Sequence, residues 1–244
     1  KALSLGGVDF ITKPLNPYIA QARVKTHLKI QSLMEKNEKI IEELKEKNQQ
    51  LDKLARIRLS KHFFLRDFLY SETAAVNGIN NVPDDIELAV AAGTQLCEKV
   101  LEPIQSAWGR IHIRSAFRSC EVNQRGNELG ANCTRNEGNY AYHIWDKRDK
   151  QGFMGAAACI IVPSYLDYYE KTGDWTSLAW WIHAHIPEYS SLYFFPSLCA
   201  FNVSWHENPD QLKQISTYIA DPNTNHNKQI LRAGKEFGGE PNLH

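Results

Sequence analysis

Between Ile30 and Leu54 the apolar residues fall at alternating steps of three and four, with Ile30, Leu33, Ile40, Leu44, Leu51 and Leu54 on one stripe of a Lys/Glu-rich sequence. That period predicts a coiled-coil seam of about three to four heptads. Asn37 and Lys47 occupy core positions of the same seam, where a polar residue weakens packing but fixes register and strand number, so a parallel homodimer is expected. The pattern leaves open a second outcome, an amphipathic helix packed back on its own chain. Upstream, residues 1–28 read as a helix end, a Gly-Gly turn, a short strand at Val8 to Thr12, and a helix opened by Asn16 and Pro17. At Ser60 to Phe64 the charge pattern stops and aromatic residues take over, which marks a globular domain running to about Ala220. Its first long helix is predicted over Asp84 to Trp108, with Pro83, Asp84 and Asp85 at its start and Leu96, Val100 and Ile104 as its apolar stripe. After Asp221 the chain is polar, rich in Asn and Gly and without apolar period, which predicts a flexible tail. The segments are therefore 1–28, a coiled-coil linker at 29–59, a globular domain at 60–220 and a tail at 221–244.

Composition narrows the function without naming it. The 244 residues carry 28 Lys and Arg against 28 Asp and Glu, so the net charge is zero and there is no electrostatic footprint for nucleic acid. No apolar run reaches the roughly 18 residues of a membrane span, and no signal peptide opens the chain. Five cysteines (Cys97, Cys120, Cys133, Cys159 and Cys199) are an odd number at irregular spacing, which argues against a full disulfide framework and for a reducing compartment. A Cys120–Cys133 bridge is left open; buried apolar packing is the simplest role for Cys97 and Cys199. Trp175, Trp180 and Trp181, and the run Tyr193 to Phe195, read as core, with a groove for a glycan or peptide as the alternative.

The segment DFITKP, Asp9 to Pro14, resembles the final strand and Lys-Pro pair of response-regulator receiver domains. In that family the lysine contacts the phosphoryl group, and Lys13 is the matching position. The resemblance covers about the last quarter of a receiver, so the chain is expected to start inside that unit, after the phosphate-accepting residues. It implies a bacterial phosphorelay protein working in the cytoplasm, and receivers are often followed by a helix that passes the signal to an output domain.

The globular domain resembles the zinc D-Ala-D-Ala carboxypeptidase and phage endolysin peptidase family, which shares its fold with the hedgehog signalling domain. Phe64 to Asp85 is similar to that family's opening, with a phenylalanine, Ser-x-x-Ala and Asn-x-Pro. Ile111 to Asn123 resembles its strand followed by Ser-Gly-Tyr-Arg-Ser, with Ser115, Phe117, Arg118 and Ser119 at matching positions. In the pattern SxHxxGxAxD, His143 matches the histidine, Gly155 and Ala157 match the small residues, and Cys159 stands where the aspartate would be, after the insertion IWDKRDKQGFM. His206, preceded by Trp205, matches the third ligand. The resemblance implies an α+β hydrolase fold of the hedgehog/DD-peptidase type and Zn2+ held by His143, Cys159 and His206. It also implies a peptidoglycan peptide as ligand, its carboxylate oriented by Arg118.

Zinc activates water when three protein ligands leave a fourth position open, and Cys is a competent ligand, though a thiolate makes the metal a weaker Lewis acid. The family's general-base carboxylate lies about three residues before the last histidine, where this chain has Val203. Replacement candidates are Glu207, if the strand ends there, and His183 or His185 in WWIHAHIP, with Asp146 and Asp149 behind them. Two functions follow: a metallopeptidase-like domain acting on cell-wall peptides, or a non-catalytic binding and output module of a two-component signalling protein.

Overall fold

The computed structural model describes residues 16–131, 133–211, 213–220, 227–232 and 235–236. The strand expected at Val8 to Thr12 and its neighbour Lys13 lie outside these residues. The chain divides into two compact units, Lys1–Lys53 and Leu54–His244.

Helix α1 spans Pro17–Ala55. Asn16 caps it, its side-chain oxygen accepting the Tyr18 and Ile19 amides at 3.0 and 3.3 Å, and Pro17 starts the first turn, where its missing N–H costs nothing. The helix crosses residues 28 and 29 without interruption. Within the first unit the heptad stripe faces solvent: Ile30, Leu33, Ile40, Leu44 and Leu51 are 41–54% exposed.

The second unit is α+β. Helix α2 (Glu72–Asn77) is capped by Ser71 at its start and ends on Gly78, whose φ of 66° is the left-handed conformation that glycine takes at least cost. Helix α3 (Ile86–Leu96) is capped by Asp85, so the helix predicted from Asp84 begins within two residues of that position. It continues through one π-helical turn, Cys97–Leu101, into α4 (Glu102–Trp108). The Glu102 amide there reaches back five residues to the Cys97 carbonyl. Pro103 follows at once, and its ring clashes with the carbonyl four residues back in a regular helix, so a widened turn at this point relieves the conflict.

Strands β1 (His112–Ser115), β2 (Gly155–Ile161), β3 (Ser191–Phe194), β4 (Phe201–His206), β5 (Gln214–Ala220), β6 (Asn227–Arg232) and β7 (Lys235–Glu236) form one sheet in the order β1-β2-β4-β3-β5-β6-β7. Neighbours are antiparallel except β3 and β5, which run parallel. Part of the segment expected as a flexible tail thus extends the sheet through β6 and β7. Strand pairing uses the backbone, so a polar sequence without apolar period can still add an edge.

Side chains alternate across the sheet. Ala156, Ala158 and Ile160 of β2, Phe201, Val203 and Trp205 of β4, and Leu192 and Phe194 of β3 enter one core with Ala89, Ala92 and Leu96 of α3. Close approach of α3 depends on Gly93, where a Cβ would stand 2.8 Å from the Trp145 ring. Helices α5 (Cys120–Glu128) and α6 (Pro163–Thr172) precede α7 (Thr176–His185), and Trp175 and, from α7, Trp180 also join this core, as their simplest reading expected. The opposite sheet face carries Cys159, Asn202, Tyr193 and Tyr218, and these line a pocket.

Among the described residues, no helix is long and apolar enough to cross a membrane.

Candidate functional site

Two loops deliver the chemistry to the open face of the sheet. After β1 the chain passes through Arg118, whose amide donates to the His143 carbonyl at 2.8 Å. Buried Asn81 holds this turn: its Nδ2 donates to the carbonyls of Leu69 and Phe117, both at 2.9 Å, and its Oδ1 accepts the Ser119 amide at 2.8 Å. The residues that resembled an endolysin opening, Ser71 and Asn81, therefore act as a helix cap and a loop clamp. The second loop is anchored by the buried pair Asn123 and Asn139, joined at 2.7 Å. It turns at Ala141, a non-glycine residue with φ 54°, to bring in Tyr142 and His143. Gly155 makes this packing possible, since a Cβ there would lie 2.3 Å from the Ala141 carbonyl oxygen.

The resulting pocket has a volume of about 580 Å³, within the range of small-molecule sites. Arg114, Arg118, His143, Cys159, Asn202 and Tyr193 are among its lining residues. His143 is 3% exposed. Its Nδ1 donates to the Ala116 carbonyl at 2.8 Å, which leaves Nε2 as an acceptor, and among the described residues that atom has no hydrogen-bond partner. Burial, with the nearby Arg118 charge, pushes the His143 pKa down to about 3, so the ring is neutral. Burial pushes the Cys159 thiol up to about 11, against the pull of Arg114 and Arg118. Burial raises the Tyr142 phenol to about 12, with Ser191 and Asn202 pulling it the other way.

Arg118 donates to the Cys133 sulfur at 3.2 Å, and among the described residues neither Arg118 nor Arg114 forms an ion pair. Glu72 is the pocket's carboxylate, so cation outweighs anion there by one. An unpaired, planar guanidinium in a concave site is suited to a carboxylate or phosphate oxygen pair.

The three expected zinc ligands do not come together. Cys159 is paired across the sheet with Asn202, whereas His206 is paired with Gly155, four positions along β2. At about 3.3 Å per residue that separation is roughly 13 Å, while ligands of one zinc ion each lie about 2.0–2.3 Å from it. The residue facing Cys159 in the pocket is thus an amide, Asn202. His206 serves instead in a local network: the Asn208 amide donates to its Nδ1 and its Nε2–H donates to Asp149, both at 3.1 Å. Among the described residues, no three His, Cys, Asp or Glu side chains are grouped so as to hold a metal. The one feature that fits zinc is His143, whose carbonyl-anchored Nδ1 and free Nε2 are what a metal-ligating imidazole shows.

The other expected catalytic residues also lie elsewhere. Val203 is fully buried on the helix-covered face, so its position does not open on the pocket. Glu207 accepts from Arg148 at 3.1 Å and from the Met154 amide at 2.9 Å, beside His206. His183 contacts the Tyr189 hydroxyl at 2.6 Å, and His185 donates to the Trp181 carbonyl at 2.8 Å while stacking on its ring, so both serve α7 and its surroundings. Asp146 is buried and accepts the Asp84 amide at 2.7 Å. Arg118, His143 and Cys159 are the expected site residues that share the pocket. The expectation missed Arg114, Asn202, Tyr142 and Tyr218. All five cysteines, including Cys120 and Cys133, are free.

No family model, no curated protein and no solved structure matches this chain.

Proposed function

We propose that the second unit is a binding module of the hedgehog/DD-peptidase type, which holds the carboxylate end of a small cell-wall-type peptide without cutting it. It serves as the output domain of a phosphorelay protein. The observation that carries this reading is the register of β2 and β4, which sets Cys159 opposite Asn202. Among the described residues, the pocket's two arginines form no ion pair and so are left for an anion, and neither a third metal donor grouped with His143 and Cys159 nor a carboxylate at the position of Val203 is found. The solvent-facing heptad stripe of α1 supports pairing with a second copy, with Asn37 at a core position favouring a parallel dimer.

The second reading, a zinc peptidase, draws on the unpartnered Nε2 of His143. Metal analysis separates the two. The binding module predicts no stoichiometric zinc in the parent protein and about one zinc per chain in Asn202→His, which supplies a third donor beside His143 and Cys159. Stoichiometric zinc in the parent that disappears in Cys159→Ser would overturn the metal-free module and favour the peptidase reading instead.

A further inference from the structure

On the pocket face, strands β3 and β5 present a continuous aromatic wall. The Tyr193 and Tyr218 rings pack with centroids 4.8 Å apart, and Phe195 lies 5.5 Å from Tyr193 and 5.8 Å from Tyr218. The Phe195 and Tyr218 rings are stacked at 22°. Tyr218 is 48% exposed although it is held by this packing, and all three rings line the pocket. An ordered, half-exposed ring beside a polar cavity offers a flat apolar face that solvent does not stabilise.

The sheet order sets the distance between this wall and the cations. Arg114 lies on β1, three strand spacings from β3 and four from β5. At about 4.8 Å per spacing these are roughly 14 and 19 Å between backbones, and the side chains reaching inward shorten the gap. An extended dipeptide with an acyl cap spans roughly 10 Å.

We infer that the pocket selects a short acyl-peptide with a ring in its acyl cap, its carboxylate held by Arg114 and Arg118 and its ring lying on Tyr193, Phe195 and Tyr218. The inference rests on the binding-module reading and adds the ring as the selected feature. An aromatic cap and a sugar cap both present such a face.

Calorimetric titration of the full chain tests it with four probes: N-acetyl-D-Ala-D-Ala, N-benzoyl-D-Ala-D-Ala, the C-terminal amide of the benzoyl peptide, and an N-acetylmuramyl dipeptide. The benzoyl peptide should bind about tenfold tighter than the acetyl peptide, and its amide should lose binding. Tyr218→Ala should remove the benzoyl preference, so that the two peptides bind alike, while Tyr218→Phe should retain it. A muramyl dipeptide bound as tightly as the benzoyl peptide identifies a sugar as an accepted ring, and one bound no better than the acetyl peptide restricts the wall to aromatic caps. Equal affinity of the acetyl and benzoyl peptides would overturn the inference and leave the binding module standing. Binding of no probe would overturn both. Release of D-alanine would overturn the non-catalytic reading alone, and the ring preference would then be read in KM.

Discussion

Gly155 shows how closely the site depends on single atoms. Its Cα faces the carbonyls of Ala141 and Trp205, and an added methyl would enter the turn that delivers Tyr142 and His143. Gly155→Ala should therefore destabilise the second unit by about 1–3 kcal/mol in urea unfolding. An unchanged midpoint would mean that the turn does not approach β2 as described. Asn81 makes a comparable prediction from polarity. Its amide satisfies one buried and one part-buried carbonyl and one buried N–H, so Asn81→Ala leaves several groups unpaired and should cost about 2–3 kcal/mol in the same measurement. At this scale the sequence was partly legible. Arg118, His143 and Cys159 carried recognisable neighbours, and they share the pocket. His206 carried an equally good neighbour in Trp205 yet sits about 13 Å from Cys159, because strand register is a long-range property. Asn202, Ser204 and His206 alternate onto the same face of β4, so local pattern alone does not say which of them meets Cys159.

Among the elements, α1 and α7 make predictions of different kinds. The exposed stripe on α1 predicts that Leu44→Asp lowers the mass measured by light scattering from dimer to monomer; a monomeric parent would remove the seam's partner. Helix α7 is preceded by Asp174, whose carboxylate accepts the Thr176 amide at 2.8 Å and the Ser177 amide at 3.2 Å, as well as both hydroxyls. Burial raises this carboxyl, and the bonds from Ser177 and Thr176 outweigh burial and hold it below its usual range. A depressed carboxyl contributes stability that is present above its unfolded pKa of about 3.9 and is lost as pH falls through the folded value. Asp174→Ala should cost about 1 kcal/mol at pH 7 and much less at pH 3, measured by urea unfolding at both. Equal costs at the two pH values would show that the charge is not what caps the helix. The α3 and α4 helices were legible as one run from their stripe and acidic start. The π turn between them was not anticipated, although Pro103 marks where it falls. Strands β6 and β7 left no apolar pattern to read, since an edge is built from backbone pairing.

For the whole molecule, the α+β class was expected from the resemblance of residues 60–220 to the peptidase family, whereas the pocket's character came from how distant segments meet. Arginines from β1 and the following turn, a neutral histidine from a loop, a facing Cys159–Asn202 pair and an aromatic wall from β3 and β5 compose one cavity. The proposed binding module rests on this set: among the described residues Arg114 and Arg118 form no ion pair, the Arg118 side chain donating to the Cys133 sulfur, and Cys159 faces an amide. The most direct test is titration of the protein with N-acetyl-D-Ala-D-Ala in the presence of a chelator, with free D-alanine assayed in the same sample. The account predicts saturable binding that weakens about tenfold or more in Arg118→Gln, with no D-alanine released. Absence of binding under chelation, with zinc restoring both binding and D-alanine release, would contradict it.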